Sequence, residues 1–191
     1  MPWRPGNSQQ LVRTLPGNFI MPLLFEFKAR SNNNNMLEEQ LQNLNPRFGG
    51  EDHQTDIYFN VSNGRLKLRE GNIENALIHY HRSDVPGPKS SNVILYRHQP
   101  DKHLKDTLIA ALGVKVIVVK KRRIWFVENV KIHFDTVKEL GDFVEVEAID
   151  EDGSIGLPTL QKQCGSFEKL FMINQEDFIA SSYSDLLLQL K

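Results

Sequence analysis

The chain has 191 residues, with 23 Lys plus Arg against 24 Asp plus Glu and a formal net charge of −1 at pH 7. That length admits a single domain with a substantial core, and the near-cancellation of charge excludes whole-molecule attraction to nucleic acid or to a membrane surface. One cysteine, Cys164, excludes an internal disulfide framework, and no run of about 18 apolar residues marks a transmembrane helix.

Residues 1–20 are rich in Pro, Gly, Asn and Gln and read as a loosely ordered leader without the apolar stretch of a signal peptide. A cytoplasmic protein with one domain over 21–191 is expected. The first strand is Leu23–Ala29, with Leu24, Glu26 and Lys28 on one face and Phe25 and Phe27 on the other. Ser31 and Asn32–Asn35 form a turn able to cap a helix over about 36–44, where Leu37, Leu41 and Leu44 recur at helical spacing, and Pro46, Gly49 and Gly50 read as its end. A second strand covers Gln54–Phe59. Asn63-Gly64 is a hairpin turn signal, and it returns the chain through Arg65–Glu70, with Arg65, Lys67 and Arg69 on one face.

Ala76–Arg82 forms the next strand, Pro86–Ser91 an exposed loop, and Asn92–Arg97 a further strand. Asp101 opens a helix that carries Leu104, Leu108, Ala111 and Leu112 and stops at Gly113. The most charged stretch follows. Lys115–Val127 reads as a strand, Glu128-Asn129 as a turn, Val130–Asp135 as the return, and Phe143–Ile149 as a third strand after a short loop. In the tail, Leu157, Leu160, Phe167, Leu170 and Phe171 suit a helix over an apolar sheet face, and Asp185–Leu190 a last short helix. Strands joined by short turns favour antiparallel pairing and an α+β fold. The charged face of such a sheet meets water if the sheet stays open and lines a tunnel if it closes; periodicity does not choose between them.

Two sets of residues carry candidate chemistry. Glu26, Asp135, Glu145 and Glu147 form an acidic set, and carboxylates two apart on a strand point the same way and can share a divalent cation, Mg2+ or Mn2+ by the hardness of oxygen ligands. Lys28, Arg65, Lys67, Arg69, Arg82, Arg97, Lys120 and Arg122 form a basic set that suits phosphate oxygens. A solvated face laced with salt bridges is the alternative for both. Lys120–Arg123 also resembles a nucleic-acid patch, but a strand sends alternate residues to opposite faces, which breaks a continuous basic stripe. His79 and His81 lack further metal-ligand partners at convincing spacing. His133, two residues before Asp135, points the same way along its strand and is a candidate for proton transfer.

Several stretches, taken in this order and spacing, are together specific. They are Phe25–Arg30, His53–Phe59, Asn63–Glu70, Lys131–Asp135, Leu140–Glu147 and Ser182–Leu187. They resemble the CYTH superfamily, the triphosphate tunnel metalloenzymes, and most closely its class IV adenylate cyclase branch. The resemblance implies a closed eight-stranded antiparallel β-barrel with a charged interior and helices packed outside. It implies a nucleoside or other triphosphate bound inside with Mg2+ or Mn2+, and either cyclisation of ATP to cAMP and pyrophosphate, hydrolysis of thiamine triphosphate or inorganic triphosphate, or binding of polyphosphate without turnover. Carried over by position, Glu26, Asp135, Glu145 and Glu147 hold metal. Lys67, Arg69, Arg82, Arg97, Lys120 and Arg122 bind substrate, and Lys28, Lys120, Arg122 and Asp135 are catalytic. The family's spacing to Asp135 selects Lys120 and Arg122 over Lys121 and Arg123. The partners implied are ATP or another triphosphate, with no nucleic acid and no membrane, in a monomer or homodimer. One departure is Leu24, which stands where the family signature E-x-E-x-K has its first glutamate.

Overall fold

The computed structural model describes residues 23–81 and 92–191. The leader at 1–20, Arg82 and the loop at 86–91 lie outside the described residues. The elements in order are β1 (Leu23–Arg30), α1 (Asn34–Gln42), β2 (Arg47–Phe59), β3 (Arg65–Glu70), β4 (Ala76–His81) and β5 (Asn92–Arg97). They continue with α2 (Lys102–Leu112), β6 (Val114–Val127), β7 (Val130–Val137), β8 (Gly141–Asp150), α3 (Leu157–Leu170) and α4 (Tyr183–Gln189).

All eight strands belong to one antiparallel sheet in the order β1-β8-β7-β6-β2-β3-β4-β5, curled into a half-barrel. The α+β, eight-stranded antiparallel fold expected from the sequence is therefore present, with one refinement. In the hydrogen-bonded order β1 and β5 are the two edges of the sheet, so the closed ladder that the resemblance implies is a curled half-barrel here. Part of the reason is local. The edge of β1 is paired instead by the segment before α4, where Phe178 bridges Ala29 and the Ile179 N–H donates to the Lys28 carbonyl at 2.8 Å.

Strand alternation divides the side chains into two layers. On the outer layer, Phe27, Ala29, Ile132, Phe134, Val144 and Val146 pack against Leu37 and Leu41 of α1, Leu160, Cys164 and Phe167 of α3, and Phe171 just after it. Ile57, Phe59 and Leu68 are covered by Leu104, Leu108 and Leu112 of α2. Asp101 and Gly113 cap α2 as expected, the glycine at φ 67. The inner layer is apolar at one end, where Tyr58, Ile78, Tyr80, Val116, Val118 and Phe143 pack with Tyr183 and Leu187 of α4. Beyond that apolar end the same face turns to charge.

β2 begins at Arg47, well before the expected Gln54, and runs through Gly49 and Gly50. The glycines sit where chains approach closely, not where a strand must end. A Cβ on Gly49 would stand 2.7 Å from Phe126, and Gly50, at φ 118, follows a register shift against β6. This bulge lengthens β2 so that it pairs with nearly all of β6. Among the described residues no helix is long and apolar enough to cross a membrane.

Candidate functional site

β6 shows how the charged site is built. Along it, Val116, Val118, Lys120, Arg122 and Ile124 are buried on the inner face, whereas Ile117, Val119 and Lys121 are exposed and Arg123 half-buried on the other. Lys121 and Arg123 pair on that outer face with Glu51 and Glu38. Lys120 and Arg122 thus enter the site because their parity matches the apolar residues that pin the strand to the core.

Register then places neighbours around them. Arg122 stands opposite Asp135 on β7 and Asp52 on β2, His133 opposite Glu145 on β8, Lys28 opposite Glu145, and Glu26 opposite Glu147. On the other side, Asp56 stands opposite Arg69 on β3. The face therefore gathers Glu26, Lys28, Lys67, Arg69, Lys120, Arg122, His133, Asp135, Glu145 and Glu147, in line with the alternation read from the sequence.

Arg122 is the centre. Its guanidinium grips Asp135 with two donors, at 2.7 and 2.6 Å, and reaches Glu145 at 2.8 Å. Tyr183 of α4 donates its hydroxyl to the same Asp135 at 2.8 Å. These three contacts use both oxygens of a fully buried carboxylate, so Asp135 holds Arg122 in place and its charge, stabilised chiefly by Arg122, lies well below the usual carboxylate range against the opposing effect of burial. Lys28 lies 3.2 Å from Glu145 and 4.3 Å above the Tyr183 ring.

Toward β2 and β3 the cations outnumber the carboxylates. Asp56 accepts from Arg69 at 2.8 and 2.9 Å and from Lys67 at 2.9 Å, with Lys120 at 3.8 Å. Lys120 is held well below the ordinary lysine range by burial and by the charges of Arg122 and Arg69. Glu74, from the turn after β3, accepts from Arg69 at 2.9 Å and from Lys131 of β7 at 2.7 Å. β6 and β2 lie between those two partners in the sheet, so this bridge reports the curl directly. The turn that carries Glu74 is shaped by buried Asp52, which accepts from the Ile73 and Glu74 N–H groups at 2.9 Å. Its carboxylate fits only beside a residue without a side chain: a Cβ on Gly71 would lie 2.5 Å from it.

Toward β8 and β1 the balance reverses. His133, Glu145 and Glu147 present one ligand atom each within 4.8 Å of one another. Burial, and then the charges of Glu145 and Glu26, push the Glu147 carboxyl up to about 7. Both His133 ring nitrogens are buried without a well-formed hydrogen bond among the described residues. An orphaned imidazole beside two crowded carboxylates is a donor set that fits a divalent cation. Leu24 extends the same face, opposite Ile149.

Of the other residues read from sequence, Arg65 leaves the cluster to pair with Asp185 of α4 at 2.9 Å, and Arg97 is exposed at the end of the edge strand β5, opposite Ala76. Arg82 lies outside the described residues. Sequence reasoning passed over Asp56, Glu74, Lys131 and Tyr183. Asp56 shares its strand parity with Gln54 and Tyr58 and stands on the strand that the hairpin pairs with Lys67 and Arg69, which was the one available signal. Nothing local marks Glu74.

The antiparallel sheet thus carries a buried inner face with cations gathered toward β2 and β3 and carboxylates toward β8 and β1. Residues 25–183 match the CYTH domain family, and the chain belongs to that family, whose members bind triphosphates and depend on a divalent metal. A Methanocaldococcus jannaschii protein provisionally named as an adenylate cyclase is 26% identical over 175 residues, covering 84% of this chain and 96% of that protein. Among solved structures, a Pyrococcus horikoshii protein aligns with a TM-score of 0.74 at 21% identity, covering 86% of this chain and 99% of the other. A Hippeastrum protein, provisionally an adenylyl cyclase and described as having a dominant triphosphatase activity, aligns with a TM-score of 0.62 at 14% identity, covering 88% and 97%. These likenesses between structures establish the shared fold.

Proposed function

We propose that the chain is a metal-dependent enzyme that holds a triphosphate along its charged face, and that it cyclises ATP to cAMP and pyrophosphate. One observation carries this reading. A cluster of cations (Lys67, Arg69 and Lys120 around Asp56) adjoins a cluster of metal-ligating groups (His133, Glu145 and Glu147), with Arg122 between them.

The cations have the shapes that phosphate recognition needs. Arg69 and Arg122 already make two-point contacts with carboxylates, and the same forks fit two oxygens of a phosphate. Lys120, crowded by Arg69 and Arg122, gains its proton more readily once phosphates arrive, because their charge opposes that of the guanidinium groups. Lys28 and Arg122 would stabilise the negative charge that builds up as the ribose 3′-oxygen, giving its proton to solvent, bonds to the α-phosphorus and the bond to the pyrophosphate oxygen breaks. Glu145, Glu147 and His133 would hold the cation, with Glu26 as a further carboxylate opposite Glu147. That cation, when bound, neutralises phosphate oxygens and polarises the phosphorus they surround. An ATP-using role suits the cytoplasm.

A second reading, binding without turnover, is favoured by Leu24. Where the family signature has a carboxylate, this face carries a leucine opposite Ile149. Incubation with ATP, thiamine triphosphate or inorganic triphosphate, with Mg2+ or Mn2+, separates the readings by product. Formation of cAMP and pyrophosphate supports cyclisation. Release of orthophosphate in its place overturns the cyclase and assigns a triphosphatase. Saturable binding with no product from any of the three leaves a binding module.

A further inference from the structure

His133 belongs to no residue set that the family resemblance carries over, yet it is the most sequestered polar group of the acidic cluster. Its side chain is 1% exposed, and Nδ1 faces Glu145 Oε2 at 3.5 Å and Glu147 Oε1 at 3.7 Å. At those separations neither contact is a well-formed hydrogen bond, and Nε2 has no hydrogen-bond partner among the described residues. A buried polar atom stripped of water without a full hydrogen bond in return is destabilising. The residue is also not a spacer for the core. It shares its face with Lys131 and Asp135, whereas the apolar positions of β7, Ile132 and Phe134, point the other way. Its Nδ1 instead completes a triangle with two carboxylates. The three ligand atoms lie within 4.8 Å of one another, a spacing that one small cation could share.

We propose that His133 Nδ1 is a direct ligand of the divalent cation and that this nitrogen makes the site select Mn2+ over Mg2+. The inference rests on the metal-dependent reading above and sharpens it. Mg2+ takes oxygen ligands and water, and gains little from an imidazole; first-row transition ions accept one. With two carboxylates and one nitrogen, the donor set of this chain is mixed, so the two ions that the carboxylates alone would serve equally are separated by the histidine. Glu145 also bonds to Arg122 at 2.8 Å and Lys28 at 3.2 Å, which fixes its carboxylate beside Nδ1 before any ion arrives.

The test is direct observation of the nitrogen. Mn2+ is added to protein in which His79 and His81, a neighbouring ring pair 5.2 Å apart near the surface, are replaced by glutamine to remove a competing site. Pulsed electron paramagnetic resonance is then recorded with natural-abundance and with 15N-labelled histidine. The expected result is 14N modulation of the Mn2+ signal that changes to the 15N pattern on labelling. His133→Ala is expected to abolish the modulation and to weaken Mn2+ about tenfold or more by calorimetry while changing Mg2+ affinity less than about threefold. The labelling experiment needs no change at His133, so it decides the matter even if that variant fails to fold. Mn2+ bound without nitrogen modulation, or equal loss of both ions in the variant, overturns the ligand assignment while leaving the metal-dependent reading intact. Failure of both ions to bind, with and without triphosphate, overturns both readings.

Discussion

The two ends of the charged face are built from the same sheet but with opposite surpluses. Around Asp56, one carboxylate is shared by Lys67, Arg69 and Lys120, with Glu74 as a second partner of Arg69. Around Glu145, Lys28 and Arg122 meet a carboxylate that neighbours Glu147 on the same strand face. Arg122 and Asp135 join the ends through a two-point contact. Each end alone is an unfavourable concentration of like charge. Together they suit the metal–triphosphate proposed as the ligand, which is both a polyanion and a cation. They are also coupled. A cation that engages Glu145 competes with Lys28 and Arg122 for it, and so releases donors toward phosphate. Metal and triphosphate are therefore expected to bind cooperatively.

The largest effect expected is at the join. Arg122→Ala leaves the buried carboxylates of Asp135 and Glu145 without their shared guanidinium, a change that costs about 3–5 kcal/mol. Chemical denaturation measures it. If the two ends are distinct in charge, Mn2+ restores part of the lost stability and inorganic triphosphate alone does not. The complementary change is Asp56→Asn, which strips the buried cations of their common partner at a cost of about 3 kcal/mol. Here the rescue is expected to be reversed, with inorganic triphosphate at a hundred times its Kd adding about 2.7 kcal/mol and Mn2+ alone adding little. Identical rescue patterns in the two variants would mean that the face is one undifferentiated network.

A smaller effect is expected from pH. The folded Glu147 carboxyl sits at about 7 against an ordinary 4.5, through burial first and then Glu145 and Glu26. A carboxyl raised in the fold contributes stability that is complete below pH 4.5 and is lost as pH rises through 7. Its replacement by glutamine, Glu147→Gln, removes that dependence. In metal-free protein the variant is expected to match the parent near pH 4 and to exceed it at pH 8 by on the order of 2 kcal/mol, allowing for partial exposure. Mn2+ affinity is expected to fall at the same time. His133 acts in the opposite sense in both proteins. Burial and Arg122 hold it at about 3 against 6.5, so its stabilising contribution is complete above pH 6.5 and fades as pH falls toward 3. A variant no more stable than the parent at pH 8 would show that Glu147 is not the strained member of the acidic end.

The sequence exposed this face unevenly, and the reasons are physical. Period-two alternation in Arg65–Glu70, Lys115–Val127 and Phe143–Ile149 is imposed by a sheet with one apolar layer, so strand existence and the parity of Lys67, Arg69, Glu145 and Glu147 could be read directly. Lys120 and Arg122 are different. Their run of four cations has no apolar spacer, and the choice of parity came from family spacing; the structure places that pair inside and Lys121 and Arg123 outside. The β2 boundary was misplaced because glycines signal turns locally, whereas Gly49 is there to let Phe126 and Ile124 approach. Glu74 and Tyr183 reach the site only through the curl of the sheet and the docking of α4, which are long-range facts that no local pattern encodes. His133 was visible as a neighbour of Asp135, but its lack of a hydrogen-bond partner is a property of three strands at once.

The smallest expected effect tests whether the acidic end is complete. Leu24 stands opposite Ile149 on the charged face, one strand repeat beyond Glu26, and is half-buried. Leu24→Glu places a third carboxylate on β1 and β8 beside Glu26 and Glu147, and like charges on adjacent strand positions cost a few tenths of a kcal/mol up to about 1. Metal-free protein is thus expected to lose under about 1 kcal/mol, and less in high salt, where the repulsion is screened. With Mn2+ present the sign reverses, because the added oxygen ligand is stabilised by the ion it helps to hold. The measurement is metal stoichiometry by calorimetry alongside turnover of ATP. A second bound ion together with a higher rate means that Leu24 limits the parent, and the acidic end is then a site lacking one ligand. No second ion and no gain in rate mean that Glu145, Glu147 and His133 suffice, and that the leucine seals the end of the face without weakening it.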